Sequence, residues 1–231
     1  NGLLNEAHVF AEEGTNVQFA TINASTGPVY IGKNAQIMEG AHIRGPAAVM
    51  ENAVVKMGAK IYSGTTIGPY SKAGGEIKNV IIQGYSNKAH EGYLGDSYIG
   101  EWCNLGADTN NSNLKNNYAG VKLWSYNEER FLKTGLTFCG LIMGDHSKSA
   151  INTMFNTGTV VGVSTNIYGS GFPRNFIPSF SWGGARGLAT FKPEKAFEVA
   201  SKVFERKGKT LDETEKNLLQ KIFEMSAKYR K

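Results

Sequence analysis

One short stretch of the sequence concentrates the residues whose types could do chemistry. It runs from Lys88 to Asp96 as Lys-Ala-His-Glu-Gly-Tyr-Leu-Gly-Asp, and Asn104-Leu-Gly-Ala107 follows it. A histidine titrates near neutral pH, so His90 is suited to take a proton from an attacking group as a general base. Glycine-rich turns nearby offer backbone N–H groups that can bind an oxyanion. These residue types predict an acyl-transfer site that includes His90.

The same residues also have structural interpretations. An isolated histidine is more often a hydrogen-bonding group than a catalyst, and an isolated tyrosine such as Tyr93 is often a packed aromatic. Lysines such as Lys78 and Lys122 are most often solvated surface charges. His146 lies in a predicted turn and is a minor second candidate. The choice between these interpretations depends on the scaffold that holds the stretch.

The scaffold is indicated by a repeat of six residues between positions 29 and 68. An α-helix cannot use this period, because six steps of about 100° do not return to the same face. Short strands separated by turns can, and the hexapeptide β-helix has this signature. Small residues two places earlier suit tight corners, and Gly or Asn suits the turns. The repeated apolar residues are Ile31, Ile37, Ile43, Val49, Val55, Ile61 and Ile67.

On this scaffold, the His-x-x-Tyr-Leu-Gly-Asp block at 90–96 carries a family resemblance. With the preceding Lys-Ala and the following Ile-Gly and Asn-Leu-Gly-Ala, it resembles the acetyltransferase domain of the bifunctional N-acetylglucosamine-1-phosphate uridyltransferase/glucosamine-1-phosphate acetyltransferase family. The similarity is dense over residues 76–107 and loose over the flanking hexapeptides. The resemblance implies a mainly β fold, a left-handed parallel β-helix. It also implies a homotrimer with active sites between subunits.

The resemblance also implies roles for individual residues. His90 corresponds to the catalytic base, and Ala107 to a position that contacts acetyl-CoA. The family's Asn-Tyr-x-Gly wording favours Asn117, although strict spacing leads to Asn113. The positions that correspond to substrate-binding residues are Lys78, Tyr93, Asn104, Asn117, Tyr118 and Lys122.

Three regions are expected from the patterns along the chain. Residues 1–28 are predicted to be an entry and capping segment, and residues 29–187 the β-helix, with a hairpin inserted at about 121–140. Residues 188–231 are predicted to form two helices, the second capped by Thr210. The sequence leaves open whether a nucleotidyltransferase domain precedes Asn1 in the full protein.

Composition narrows the classes of partner. The formal net charge of +5 favours anionic partners, but no cluster of basic and aromatic residues indicates nucleic acid. We find no signal peptide and no apolar stretch of membrane-spanning length, so we expect no membrane partner. Cys103 and Cys139 do not form a disulfide framework, which favours a cytoplasmic location. The four histidines are scattered, so no metal site is predicted.

The sequence thus favours an acetyl-CoA-dependent N-acetyltransferase that acts on an amino sugar phosphate, most plausibly glucosamine 1-phosphate, in sugar-nucleotide biosynthesis. Coenzyme A and the sugar phosphate would be its ligands, and no metal would be needed. One alternative is a hexapeptide acyltransferase with another acceptor. Another is a non-catalytic domain that trimerises or regulates a sugar nucleotidyltransferase.

Overall fold

The computed structural model describes residues 1–230. The strands are β1 Gly2–Leu4, β2 Val9–Ala11, β3 Asn16–Val17, β4 Thr21–Asn23, β5 Val29–Ile31, β6 Gln36–Ile37, β7 His42–Arg44, β8 Ala47–Val49, β9 Val54–Val55, β10 Lys60–Ile61, β11 Thr65–Ile67, β12 Lys72–Ala73, β13 Glu76–Ile82, β14 Asn87–Lys88, β15 Tyr93–Ile99, β16 Asn104–Leu105, β17 Asn110–Asn111, β18 Lys122–Ser125, β19 Arg130–Lys133, β20 Leu141–Met143, β21 Lys148–Ser149, β22 Met154–Phe155, β23 Thr159–Val161, β24 Asn166–Ile167, β25 Phe176–Ile177, β26 Ser181–Gly184 and β27 Gly187–Thr190. The helices are α1 Pro193–Glu205 and α2 Glu213–Met225, with 3₁₀ turns at Glu6–His8 and Ala227–Tyr229.

Successive strands lie on three different faces, and strands one coil apart stack in parallel to make a β-helix. The first face contains β1, β4, β7 and β10, then the first halves of β13 and β15. The second face runs from β2 through β5, β8 and β11, the second halves of β13 and β15, then β20, β23 and β25. The third face runs from β3 through β6, β9, β12, β14, β16, β21 and β24 to β26. The predicted fold class is confirmed, including the inserted hairpin and the C-terminal helical pair.

The core is the stack of inward side chains that the six-residue period predicts. The repeated Ile and Val residues are all at most 2% exposed, and the small residues before them are also buried. Each fully buried aliphatic side chain contributes about 1.5–3 kcal/mol relative to an exposed one. Turn residues such as Asn34 and Gly40 have positive φ, as the pattern predicts. Sequence periodicity therefore defines the regular coils residue by residue.

Two coils in the middle of the β-helix are shorter than the rest. In β13 and β15 a single residue with positive φ, Asn79 or Asp96, turns the chain from the first face to the second. Only residues 74 and 75 connect β12 to β13, whereas residues 56–59 make the equivalent turn one coil earlier. These shortened corners explain why the period blurs in the sequence between 71 and 98.

Residues 1–28 are already part of the parallel sheets. β1 pairs with β4 and β2 with β5 in the same parallel sense as the later coils. Apolar side chains of this first coil, including Phe10 and Phe19, are exposed. The domain boundaries drawn from the sequence stay a prediction.

The insertion leaves the β-helix after β17 and returns at β20. Within it, β18 and β19 form an antiparallel hairpin in which Trp124 lies opposite Phe131. Trp124 also stacks on Phe176 of β25, with 4.2 Å between the ring centroids. This aromatic contact holds the hairpin against the second face.

The helical pair packs on a row of aromatic turn residues. Tyr70, Tyr85 and Trp102 stack along the corner between the second and third faces, and Phe204 of α1 stacks on Trp102 at 4.0 Å. The predicted cap of the second helix is wrong by two residues. Asp212, not Thr210, precedes the first helical residue, and its carboxylate accepts from the N–H of Glu215 at 2.8 Å.

Neither described helix has the length and apolar character needed to cross a membrane. Cys103 and Cys139 are both free and buried. Burial raises the pKa of the Cys103 thiol to about 12, so this cysteine stays protonated and unreactive at neutral pH.

Candidate active site at the His90 turn

The four residues 89–92 connect β14 on the third face to β15 on the first, and we call them the His90 turn. The His90 side chain is exposed on this corner. The turn of the next coil contains Ala107, and the N–H of Asp108 donates to the carbonyl of Glu91 at 2.9 Å. The predicted base and the predicted acetyl-CoA contact therefore lie on adjoining turns.

Glycine is required where the coil below meets the His90 turn. A Cβ on Gly75, whose φ is +71°, would lie 2.9 Å from the carbonyl oxygen of His90 and 2.7 Å from that of Gly92. A Cβ on Gly74 would lie 2.5 Å from the carbonyl oxygen of Ala89. The two-residue corner thus lets the backbone of the His90 turn settle directly onto the preceding coil.

Lys88 lies inside the β-helix beneath this turn and is 1% exposed. Its ammonium donates to the carbonyls of Gly74 at 3.3 Å and Glu91 at 3.1 Å, and also to the carbonyl of His90. Burial lowers the pKa of Lys88 to about 8, although Glu91 and Asp108 oppose the shift. Sequence reasoning assigned no role to Lys88. The repeat could have identified it, because it falls at an inward position between Ala73 and Leu105.

Tyr93 begins the first-face part of β15 and takes part in a polar cluster, which we call the Tyr93 cluster (Tyr93, Asp96, Asn113 and Asn79). The Asn113 side-chain amide donates to the Tyr93 hydroxyl at 3.0 Å and also to the carboxylate of Asp96. The Asn79 amide donates to the same carboxylate at 2.7 Å. Burial, then the Asp96 charge, raises the pKa of Tyr93, so its phenol stays neutral and can donate a hydrogen bond.

A glycine lets the Tyr93 ring reach Asn113. A Cβ on Gly95 would lie 2.3 Å from the Tyr93 hydroxyl oxygen and 2.6 Å from the adjacent ring carbon. Local packing therefore explains the Tyr-Leu-Gly-Asp sequence. The Tyr93 ring lies over Gly95. The Asn113 amide that donates to the Tyr93 hydroxyl also donates to the Asp96 carboxylate.

The other predicted substrate residues are distributed more widely. Lys78 is exposed at the end of the first-face part of β13, in register with Gly95 beside the Tyr93 cluster. Asn104 is exposed on the third face, in register with Asn87. The structure therefore places Lys78 beside Gly95, two residues after Tyr93, and places Asn104 on a different face of the same chain.

The insertion separates the two asparagines between which the sequence could not decide. Asn113, the position given by strict spacing, reaches the Tyr93 cluster. Asn117 instead accepts from the N–H of Ala119 within its own turn, and Tyr118 is 71% exposed there. Lys122 begins the hairpin and lines a cavity of about 440 Å³ with Lys115 and others.

Cavities formed by residues 1–230 of one chain occur away from the His90 turn. A cavity of about 650 Å³ lies between the hairpin and the C-terminal end of the β-helix, where it is lined by Trp124, Arg174 and Arg186 among others. The convergent polar groups, rather than cavity size, indicate the candidate site, because an exposed corner becomes enclosed only by a ligand or a second chain.

His146, the minor second candidate, belongs to the contact with the helices. It is 5% exposed, and its Nε2 lies 3.1 Å from the Glu215 carboxylate of α2. Its ring stacks near Trp102 and Phe204. Burial lowers the pKa of His146, and the hydrogen bond to Glu215 opposes the shift. Across residues 1–230, no group of three His, Cys, Asp or Glu side chains is arranged to hold a metal ion.

Comparisons with known proteins show relatives in sequence over part of the chain. No family model matches the chain. The bifunctional protein GlmU of Methanococcus aeolicus is 35% identical over 122 residues, which are 53% of this chain and 25% of that protein. The uncharacterized acetyltransferase YaiX of Escherichia coli is 29% identical over 157 residues, which are 66% of this chain and 67% of that protein.

The chain thus spans about a quarter of the length of the first of these relatives. Among solved structures, the UDP-N-acetylglucosamine acyltransferase of Francisella novicida is 14% identical, with a TM-score of 0.44 and coverage of 98% of this chain and 90% of that chain. That similarity is too low to bear on function. The sequence comparisons confirm the resemblance seen in the motif: this chain is a hexapeptide-repeat β-helix similar in sequence to the GlmU proteins and to the acetyltransferase YaiX.

Proposed function

We propose that the chain is an acetyl-CoA-dependent N-acetyltransferase that acts on an amino sugar phosphate, with glucosamine 1-phosphate as the proposed acceptor. One observation supports this most strongly. An exposed histidine lies on a rigidly seated turn between the Ala107 turn and the Tyr93 cluster. The relatives named GlmU and acetyltransferase YaiX support the same class of reaction.

The reaction is the attack of a neutral amine on a thioester. The nitrogen forms a bond to the carbonyl carbon of acetyl-CoA, and the C–S bond breaks. His90 takes the proton that the nitrogen loses, and the thiolate of coenzyme A leaves and is protonated. A positioned base of this kind contributes about 10²- to 10⁴-fold to the rate. Backbone N–H groups of the neighbouring turn are suited to the developing oxyanion.

The acceptor site would lie along the first face. The neutral phenol of Tyr93 and the amide of Asn113 offer hydrogen bonds to sugar hydroxyl groups. The exposed ammonium of Lys78 lies in register with Gly95 and offers a cation to the phosphate. Lys122 would serve the same phosphate from the hairpin. A net charge of +5 favours the approach of such an anion.

A homotrimer would complete the site. Lys78 and Asn104 lie on different faces of one chain, and a second copy that contributes one of them would bring both to one ligand. A closed ring of three copies would bury these exposed corners against one another. Light scattering should then give three times the mass of the chain, and a monomer would exclude this arrangement.

The direct test is release of the coenzyme A thiol from acetyl-CoA with glucosamine 1-phosphate as acceptor. His90→Ala should lower kcat by at least about a hundredfold, because the nitrogen then loses its base. His42→Ala is the matched control, since His42 is an exposed histidine on β7, and it should leave kcat unchanged. Full activity of His90→Ala would exclude His90 as the base.

The acceptor is tested with a panel of amino sugars with and without the 1-phosphate. The proposal predicts turnover that depends on both the amine and the phosphate. Equal turnover without the phosphate would indicate another acceptor. Absence of acetyl-CoA binding by calorimetry would exclude the enzyme and favour a non-catalytic domain.

A further inference from the structure

Lys88 places a charged side chain at an inward position of the third face. The inward positions next to it in register are Ala73 below and Leu105 above, and both are buried apolar residues. An ammonium at such a position is costly unless every proton finds an acceptor. Violations of the local pattern of this kind are expected where a site needs them.

The acceptors of this ammonium define where it acts. Two of them, the carbonyls of His90 and Glu91, belong to the His90 turn, and the third belongs to Gly74 in the coil below. The Glu91 carbonyl also accepts from the N–H of Asp108. Among the hydrogen bonds of residues 1–230, the donor to the carbonyl of His90 is Lys88.

The shape of the turn explains why such a donor is needed. The preceding corner has only Gly74 and Gly75, so the carbonyls of residues 89 and 90 approach glycine α-carbons closely. These glycines offer no side-chain donor, and the Lys88 side chain on the inward side of the turn is 1% exposed. A long side chain from inside the β-helix can reach this position, and Lys88 is two residues before His90.

We propose that Lys88 is a positioning residue for His90: from inside the β-helix its ammonium binds the inward carbonyls of the His90 turn and so fixes the direction in which the imidazole projects. This inference rests on the proposed function only for the role of the imidazole. The lowered pKa of Lys88, about 8, agrees with a cation that has carbonyl partners and no carboxylate in hydrogen-bond contact.

The test compares two lysines that bind the carbonyl of a histidine two residues away. Lys88→Met removes the donor and keeps the length of the side chain. Lys148→Met is the control, because Lys148 is half-buried and donates to the carbonyl of His146 at 2.9 Å, at the turn that contacts the helices. Both variants remove a buried ammonium, so both should lower the melting temperature.

Only Lys88→Met should act on catalysis. We expect kcat to fall about 10- to 100-fold with KM for both substrates changed less than about threefold, because misplacement of about 1 Å in a reacting group can cost 10²-fold. Lys88→Gln, which keeps one donating amide, should recover part of kcat. If Lys88→Met does not fold, Lys88→Gln and wild type make the same comparison.

A second measurement does not depend on activity. In wild type and Lys88→Met with ¹⁵N-labelled histidine, long-range ¹H–¹⁵N spectra report each of the four imidazoles. The His90 ring signals should shift or broaden in the variant, and those of His42 should not. If wild type transfers no acetyl group but these signals still shift, positioning holds and the proposed function fails. Unchanged His90 signals, or equal loss of kcat in Lys88→Met and Lys148→Met, would overturn the inference.

Discussion

At the scale of single residues, the structure gives physical reasons for the wording of the motif. The spacing from His90 to Tyr93 is the length of the turn that carries the chain from the third face to the first. Gly95 is required because the Tyr93 ring lies over it. Asp96 is required because its carboxylate accepts a hydrogen bond from the Asn113 amide, which also donates to the Tyr93 hydroxyl. Tyr93, Asp96, Asn113 and Asn79 therefore form one hydrogen-bonded unit rather than separate contacts.

Gly95→Ala provides a prediction at this scale. The new methyl group would collide with the Tyr93 phenol, so the ring must leave Asn113. Loss of one such hydrogen bond costs about 1 kcal/mol, and KM for the acceptor should rise up to about tenfold with little change in kcat. Steady-state kinetics with varied acceptor measures this.

Gly120→Ala is the control, because a Cβ there meets its nearest atom at 3.8 Å. It should behave as wild type. A Gly95→Ala enzyme with an unchanged KM for the acceptor would remove Tyr93 from the acceptor site.

The motif spacing predicts positions along the coils, but it does not predict them where the chain leaves the coils for the insertion. His90, Tyr93 and Ala107 lie on turns or strand ends whose places follow from the motif spacing. The motif alone favours Asn117, yet Asn113, two residues after the end of β17, is the asparagine that reaches the tight corner at Asp96. Their roles in binding remain predictions.

At the scale of elements, the helical pair is anchored through a buried histidine. The Nε2–H of His146 donates one hydrogen bond to the Glu215 carboxylate of α2, and the ring lies beside the aromatic row that receives α1. Burial lowers its pKa in the folded chain below the ordinary value of 6.5. As the pH falls below about 6.5, the unfolded chain therefore takes up a proton before the folded chain does.

The expected result is a free energy of unfolding that is full above this value and decreases as the pH falls toward 5. Denaturant unfolding of wild type and His146→Gln at several pH values measures the effect. The variant lacks the imidazole and should lose this part of the pH dependence. Parallel pH profiles for the two proteins would show that His146 does not couple protonation to stability.

Elements were predictable to the extent that their patterns were regular. The six-residue period predicted the coils because branched side chains stack at fixed positions. It failed between 71 and 98 because corners of one or two residues replace the usual turns there. Thr210 fits the spacing of an N-cap, but the Asp212 carboxylate is the group that accepts from an N–H in the first turn of α2.

At the scale of the whole molecule, the fold separates two tasks. The regular coils supply a stiff stack, while the shortened coils in its middle create the exposed corner that carries His90. The hairpin and the helices pack on the second face and on the corner between the second and third faces, and the His90 turn is left accessible. The stacking of faces explains how residues far apart in sequence, such as Lys78 and Gly95, become neighbours.

The central claim is that acyl transfer takes place at the His90 turn. A crystal structure of the protein with coenzyme A bound tests it most directly. The account predicts that the thiol lies beside the His90 imidazole, with the pantetheine arm passing the Ala107 turn. A thiol bound elsewhere, for example in the cavity lined by Trp124 and Arg174, would contradict it.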